Sequence, residues 1–268
     1  MKTFFLHFQP VAAICFLFHA NICLSANTTD IDKAETMSSL QQHIDIGISS
    51  IDAAADKKPD EALAIIKKSL QNEDNWYVRL HAQRMLATID SSKSLDVMLR
   101  SLAHECDVNR ETVAPPVQGS IGTSDERIEK QFRQIVSDFV LRSRQKDQYI
   151  TLLLERMRNA KGDAFRYHLA IIIGNCEDRS SLVTLIDCLR ISPSGIMRSD
   201  AARCLGGVRD KRASTALIQA LKDDYAPKAS GDVIGKNYGF LVRIAAADAL
   251  RKLGYKVTER EGRYNVDK

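Results

Sequence analysis

The 268 residues hold 44% hydrophobic but only 6% aromatic side chains, with 13 glycines and 6 prolines. A full-sized core must then come mainly from Ala, Leu and Ile in long unbroken segments, which favours helices and argues against an all-β fold. The formal net charge of +4 is not that of a nucleic-acid-binding chain.

The chain opens with Met1 and Lys2, then a mostly apolar run from Phe4 to Leu24, broken by His7, Gln9, Pro10, His19 and Asn21 and ending in Leu24-Ser25-Ala26. One early positive charge, an apolar stretch and small residues at its end predict a signal peptide over 1–26, cleaved after Ala26, and so a periplasmic or secreted protein. The run is just long enough to span a bilayer. An uncleaved membrane anchor is therefore the alternative, opposed by the scattered polar residues. Neither Cys15 nor Cys23 follows the small residue that a lipoprotein cleavage site needs. Asn27-Thr28-Thr29 is a formal glycosylation acceptor, meaningful only in a eukaryotic source.

Residues 27–59 form the next unit, in which Met37, Leu40, Ile44, Ile48 and Ile51 trace one face of a capping helix. From 60 to 254 the sequence repeats itself. Tyr77-Val78-Arg79, Phe165-Arg166, Ile196-Met197-Arg198 and Leu241-Val242-Arg243 open similar segments, each running on into small and aliphatic residues. The spacing predicts five helix pairs. First helices fall at about 60–71, 93–105, 147–158, 179–190 and 212–222, and their partners at about 76–88, 126–144, 163–175, 195–207 and 239–253. Two stretches interrupt the compact spacing, Asp107–Asp125 with Pro115-Pro116 and Asp223–Gly239 with Pro227. Both join a first helix to its partner, so both should leave the stack along one edge, a common binding side in such arrays.

The fullest copy of the pattern is Met197-Arg198, Ala201-Ala202, Leu205-Gly206 and Asp210, echoed by Val242-Arg243, Ala246-Ala247 and Leu250. It resembles the HEAT family, in particular the short variant named after the phycobilisome lyase. The resemblance covers roughly residues 60–254, and is sharp in the last two units and blurred in the second. It implies an all-α solenoid, a superhelix of stacked helix pairs. Small residues should let the two helices of a unit approach closely, while larger aliphatics interdigitate with the neighbouring unit. Arg79, Arg166, Arg198 and Arg243 are then repeat-structural, with packed stems and guanidinium groups bonded to Asp or carbonyl groups at the turns, and Asp210 belongs to the same framework.

After Gly254, Tyr255 and Val257 alternate with polar residues, a Glu261-Gly262 turn follows, and Tyr264 and Val266 alternate again. This predicts a small C-terminal β-hairpin over 255–268 that caps the last pair, with a free tail as the alternative. Beyond the leader, Cys106, Cys176, Cys188 and Cys204 match no zinc spacing and form no CxxC pair. Cys176 and Cys204 fall at inward helix positions, so buried thiols are the first expectation and a bridge involving Cys176, Cys188 or Cys204 the second.

No catalytic signature is present: there is no GxSxG elbow, no P-loop and no dinucleotide-binding glycine motif. The HEAT-type iron hydroxylases build their two-metal site from several His-Glu pairs, whereas this chain has one, His104-Glu105. The other histidines beyond the leader are His43, His81 and His168, of which His81 and His168 read as helix-surface or half-buried residues rather than ligands. No catalytic, metal or cofactor residue is expected. The expected function is a non-enzymatic exported scaffold that binds a protein partner on a curved solenoid surface. The candidate contacts are Tyr225, Lys228, Lys236, Asn237 and Tyr238 of the second interruption, an aromatic and basic mixture suited to polar or acidic partners.

An alternative reading starts from charge: residues 27–110 carry 10 basic and 14 acidic side chains, residues 195–268 carry 15 and 9. That gradient suits a polyanionic cell-surface ligand bound at the C-terminal end. A lyase or hydroxylase of HEAT type ranks below both. Membrane contact is expected only if the leader is retained, and neither partner identity nor oligomeric state follows from the sequence.

Overall fold

A computed structural model describes residues 42–72, 75–107, 124–225, 240–261 and 263–267. The predicted leader, Lys228, Lys236, Asn237 and Tyr238 lie outside these residues, as does the body of both interruptions. The described chain is helical up to the last residues. A first helix, α1 (42–52), buries Ile44 and Ile51. Ten more follow: α2 (Pro59–Asn72), α3 (Trp76–Leu86), α4 (Ser92–Asp107), α5 (Ser124–Arg142), α6 (Lys146–Arg158), α7 (Asp163–Asn175), α8 (Leu182–Ile191), α9 (Gly195–Val208), α10 (Ser214–Ala220) and α11 (Leu241–Lys252). Among the described residues no helix is long and apolar enough to cross a membrane.

Helices α2 to α11 form five pairs, each first helix packed on the second, and the second helices α3, α5, α7, α9 and α11 pack side by side in one continuous row. The fold class read from the sequence, an all-α solenoid of five HEAT-like pairs, is therefore the observed one. Local chemistry fixes the ends. Asn75 caps α3, its side chain accepting from the backbone N–H of Tyr77 and Val78, and Ser194 caps α9 by accepting from Met197 N–H. The third and fourth units repeat one turn in register, 32 residues apart: Glu177 and Arg209 both take positive φ, of 60° and 55°, after α7 and α9. Asp178 and Asp210 follow, and each accepts from the N–H two residues on to start a three-residue 3-10 turn. These turns delay α8 and α10 to Leu182 and Ser214, a few residues after the predicted starts at 179 and 212.

The small residues act differently from the expectation. A Cβ at Gly206 would meet the Ala249 Cα at 2.8 Å, and one at Gly174 would meet the Cys204 Cβ at 2.8 Å. These close approaches join second helices of neighbouring units, α9 to α11 and α7 to α9, rather than the two helices of one unit. Where neighbouring second helices bring their backbones this close, there is no room for a side chain and glycine is required.

The chain ends in an antiparallel hairpin, β1 (Lys256–Arg260) with β2 (Arg263–Asp267), pairing Val257 with Val266. Glu261 takes φ 54° in the two-residue turn, as a primed hairpin turn requires. Strand β1 packs on α11 and buries Val257, so the hairpin covers the open side of the last pair. Among the described residues the four cysteines are thiols rather than bridges, with Cys176, Cys188 and Cys204 buried and Cys106 half-buried.

Candidate functional site

The repeat arginines all lie at the edge where first helices turn into second helices. Arg79 is buried and makes a bidentate pair with Glu105, Nε to Oε1 at 2.7 Å and Nη2 to Oε2 at 3.1 Å. Arg166 pairs with Asp163 at 2.8 Å and lies 5.6 Å from the Tyr167 ring centroid. Arg198 donates to both Asp223 oxygens (2.8 and 3.1 Å) and to the carbonyls of Ser192 (2.8 Å) and Pro193 (3.1 Å). Hydrogen bonding to Asp223 raises the Arg198 pKa. Arg243 lies 3.6 Å from the Phe240 ring centroid and donates its Nε–H to the Asp223 carbonyl. Asp210 accepts from Arg212 N–H and pairs with the Arg212 guanidinium, and these bonds hold its carboxyl down at about 2.

Asp223 thus joins two consecutive repeat arginines at the root of the second interruption, and its carboxylate also accepts from Tyr225 N–H at 2.9 Å. The Tyr225 ring lies flat on the start of α9, so close that a Cβ on Gly195 would be 2.0 Å from its Cγ. Its centroid is 5.9 Å from the Arg198 guanidinium. Of the five candidate contact residues, Tyr225 is placed and the other four fall outside the described residues.

A second feature of this edge is a buried ionic centre between α5, α7 and α9. Arg133 is 2% exposed, and donates to the Asp200 carboxylate and at 3.3 Å each to His168 Nδ1 and Met197 Sδ. Asp200 also meets Arg203, and Lys130 at 3.6 Å. Burial pushes the Asp200 carboxyl up, but the charges of Arg133, Arg203 and Lys130 outweigh it and leave the pKa lowered. A guanidinium only donates, so His168 Nδ1 accepts and its Nε2–H donates to Glu129 Oε2 at 3.0 Å. Burial holds His168 neutral, lowering its pKa against the pull of Glu129. Both ring nitrogens are engaged in this tautomer, so neither has an open lone pair with which to take a substrate proton. At 1% exposure His168 is a core residue, not the surface or half-buried residue expected from the sequence.

Beside this centre a pocket of about 290 Å³ opens between the start of α7, the α8–α9 turn and α5. Glu129, His168, Tyr167, Ser194, Ile196 and Met197 are among its walls. Tyr167 is 3% exposed, its hydroxyl meets no hydrogen-bond partner among the described residues, and burial raises its pKa. Sequence reasoning missed this centre. One signal was available: His81, His168 and Asp200 each stand two residues after a repeat arginine, a register that Ala245 fills in the last unit. His168 and Asp200 are buried at this register, whereas His81 is half-buried and pairs with Asp52, so the polar layer lies inside the row only in the third and fourth units.

Residues 150–234 match the family model for HEAT repeats, and repeats of this kind generally bind protein partners. The match does not extend to the lyase-type subclass. No curated protein matches the chain.

Proposed function

We propose that this chain, whose residues 150–234 match the HEAT-repeat model, is a non-enzymatic, exported scaffold that holds a protein partner along the edge where first helices turn into second helices. The observation that carries this reading is that both long interruptions leave the stack at this one edge, between α4 and α5 and between α10 and α11. The second of them starts from a root that Arg198, Arg243 and Asp223 fix in place. Tyr225 supplies an aromatic group at that root, and aromatic residues are enriched where protein interfaces form. The engaged ring nitrogens of His168 favour shape over chemistry as what this edge offers.

Binding of a polyanion through the basic C-terminal third is the second reading. Against it, Arg198, Arg203, Arg212 and Arg251 in that third are each paired with an aspartate. Affinity capture from the native compartment with the intact chain and with residues 226–236 deleted separates the readings. A protein recovered by the intact chain and lost by the deletion is the expected result. Capture unchanged by the deletion overturns the proposed surface. Binding that instead falls log-linearly and steeply with salt marks the polyanion reading.

A further inference from the structure

We propose that Cys106, Glu129 and His168 form a binding site for a divalent metal ion of borderline softness, Zn²⁺ foremost, with its fourth coordination position facing the pocket between α5, α7 and α9. One ligand atom from each residue, the Cys106 Sγ, a Glu129 carboxylate oxygen and a His168 ring nitrogen, lies within 4.8 Å of the other two. The three come from separate helices, α4, α5 and α7. Thiolate, carboxylate and imidazole together suit zinc better than calcium or magnesium, which take oxygen ligands, and three protein ligands with one open position form a recurrent zinc geometry. Around a tetrahedral ion with bonds of about 2.0–2.3 Å, ligand atoms stand roughly 3.3–3.8 Å apart. Glu129 Oε2 and His168 Nε2 are already 3.0 Å apart. Cys106 must therefore close by at most about 1 Å, the span of a rotamer adjustment near the end of α4.

The placement of the open position follows from the walls: Glu129 and His168 line the pocket, so an ion between them has one side toward it, where a water or a ligand carboxylate completes the shell. Charge is balanced, since the dication meets one carboxylate and one thiolate. Binding has a defined cost. The ion takes the Nε2 lone pair, so the ring proton moves to Nδ1 and Arg133 Nη1 gives up its bond there. Arg133 keeps Asp200 and the Met197 sulfur. The Cys106 thiol releases its proton to solvent. The ion ties α4, at the root of the first interruption, to α5 and α7, a cross-link between the second and third units that the apolar seam does not supply.

The test uses the purified full chain, stripped with a chelator and titrated with Co²⁺, then with Zn²⁺. The expected result is one equivalent of cobalt with the intense visible bands of a four-coordinate ion and a near-ultraviolet thiolate-to-cobalt charge-transfer band, all lost when zinc displaces it. Cys106→Ser should abolish the charge-transfer band, and Glu129→Gln should keep it but weaken binding by about tenfold or more. Both side chains are half-buried, and circular dichroism checks that the variants fold. If the wild-type chain gives no charge-transfer band, the proposal is overturned whatever the variants do. It is overturned equally if the band persists in Cys106→Ser, which places the metal on another thiol.

Discussion

Two adjacent glycines in α9 should respond to the same substitution with opposite signs. Alanine is favoured over glycine in a helix by about 1 kcal/mol, and by roughly half that in a last turn. At Gly207 nothing opposes this gain, because an added Cβ would come no closer than 3.9 Å, to Glu177 Cγ. At Gly206 the same methyl would stand 2.8 Å from the Ala249 Cα and 3.0 Å from its Cβ. Ordinary carbon contacts are about 3.5–4.0 Å, so the overlap approaches an ångström. The atoms it meets are backbone and Cβ, which no rotamer change can move. Helices α9 and α11 must therefore separate along their seam, an overpacking penalty of about 1–3 kcal/mol that exceeds the propensity gain. Gly206→Ala should lower the melting temperature by about 1–10 °C and Gly207→Ala raise it by about 1–2 °C, at roughly 2–4 °C per kcal/mol for a chain of this size. Thermal unfolding of both variants, followed by circular dichroism, is the assay. Shifts of the same sign would refute the claim that these second helices touch through backbone.

Asp200→Leu leaves Arg133 buried without its carboxylate and should cost about 3–5 kcal/mol in urea unfolding, and adding Arg133→Met should recover most of that loss. Burial pushes the Cys188 and Cys204 thiols up to about 12. Iodoacetamide at pH 8 should then label neither in the native protein and both after unfolding, as read by mass spectrometry. The Asp210 carboxyl is depressed to about 2, so its stabilising contribution is complete above the ordinary carboxylate pKa and lost as pH falls through 2. The melting temperature of Asp210→Ala should lie below that of the wild type at pH 5 and converge with it as pH approaches 2.

Much of the fold could be read in advance because each unit states its own structure. Apolar periodicity sets the helices, and Asn75 and Ser194 punctuate two of them with side-chain caps. The hairpin was legible too, as the first of two readings, since Val257 and Val266 alternate about a two-residue turn with glycine second, although glutamate at φ 54° is not the residue that a primed turn favours. What escaped depends on distance along the chain. Asp200 and Arg133 stand 67 positions apart, and no periodicity says that two buried charges will meet. Gly206 announced a close approach without naming which helix would come near, and the answer lay in the next unit rather than its own. The 3-10 turns before α8 and α10 span three residues each, too few for a period to distinguish from an α-helix.

Asp223 accepts from Arg198 of one repeat through its carboxylate and from Arg243 of the next through its carbonyl. The Asp223 root is thus held by two stacked units at once, and no single helix carries it. Peeling either unit away means breaking charged bonds and sliding a seam at once.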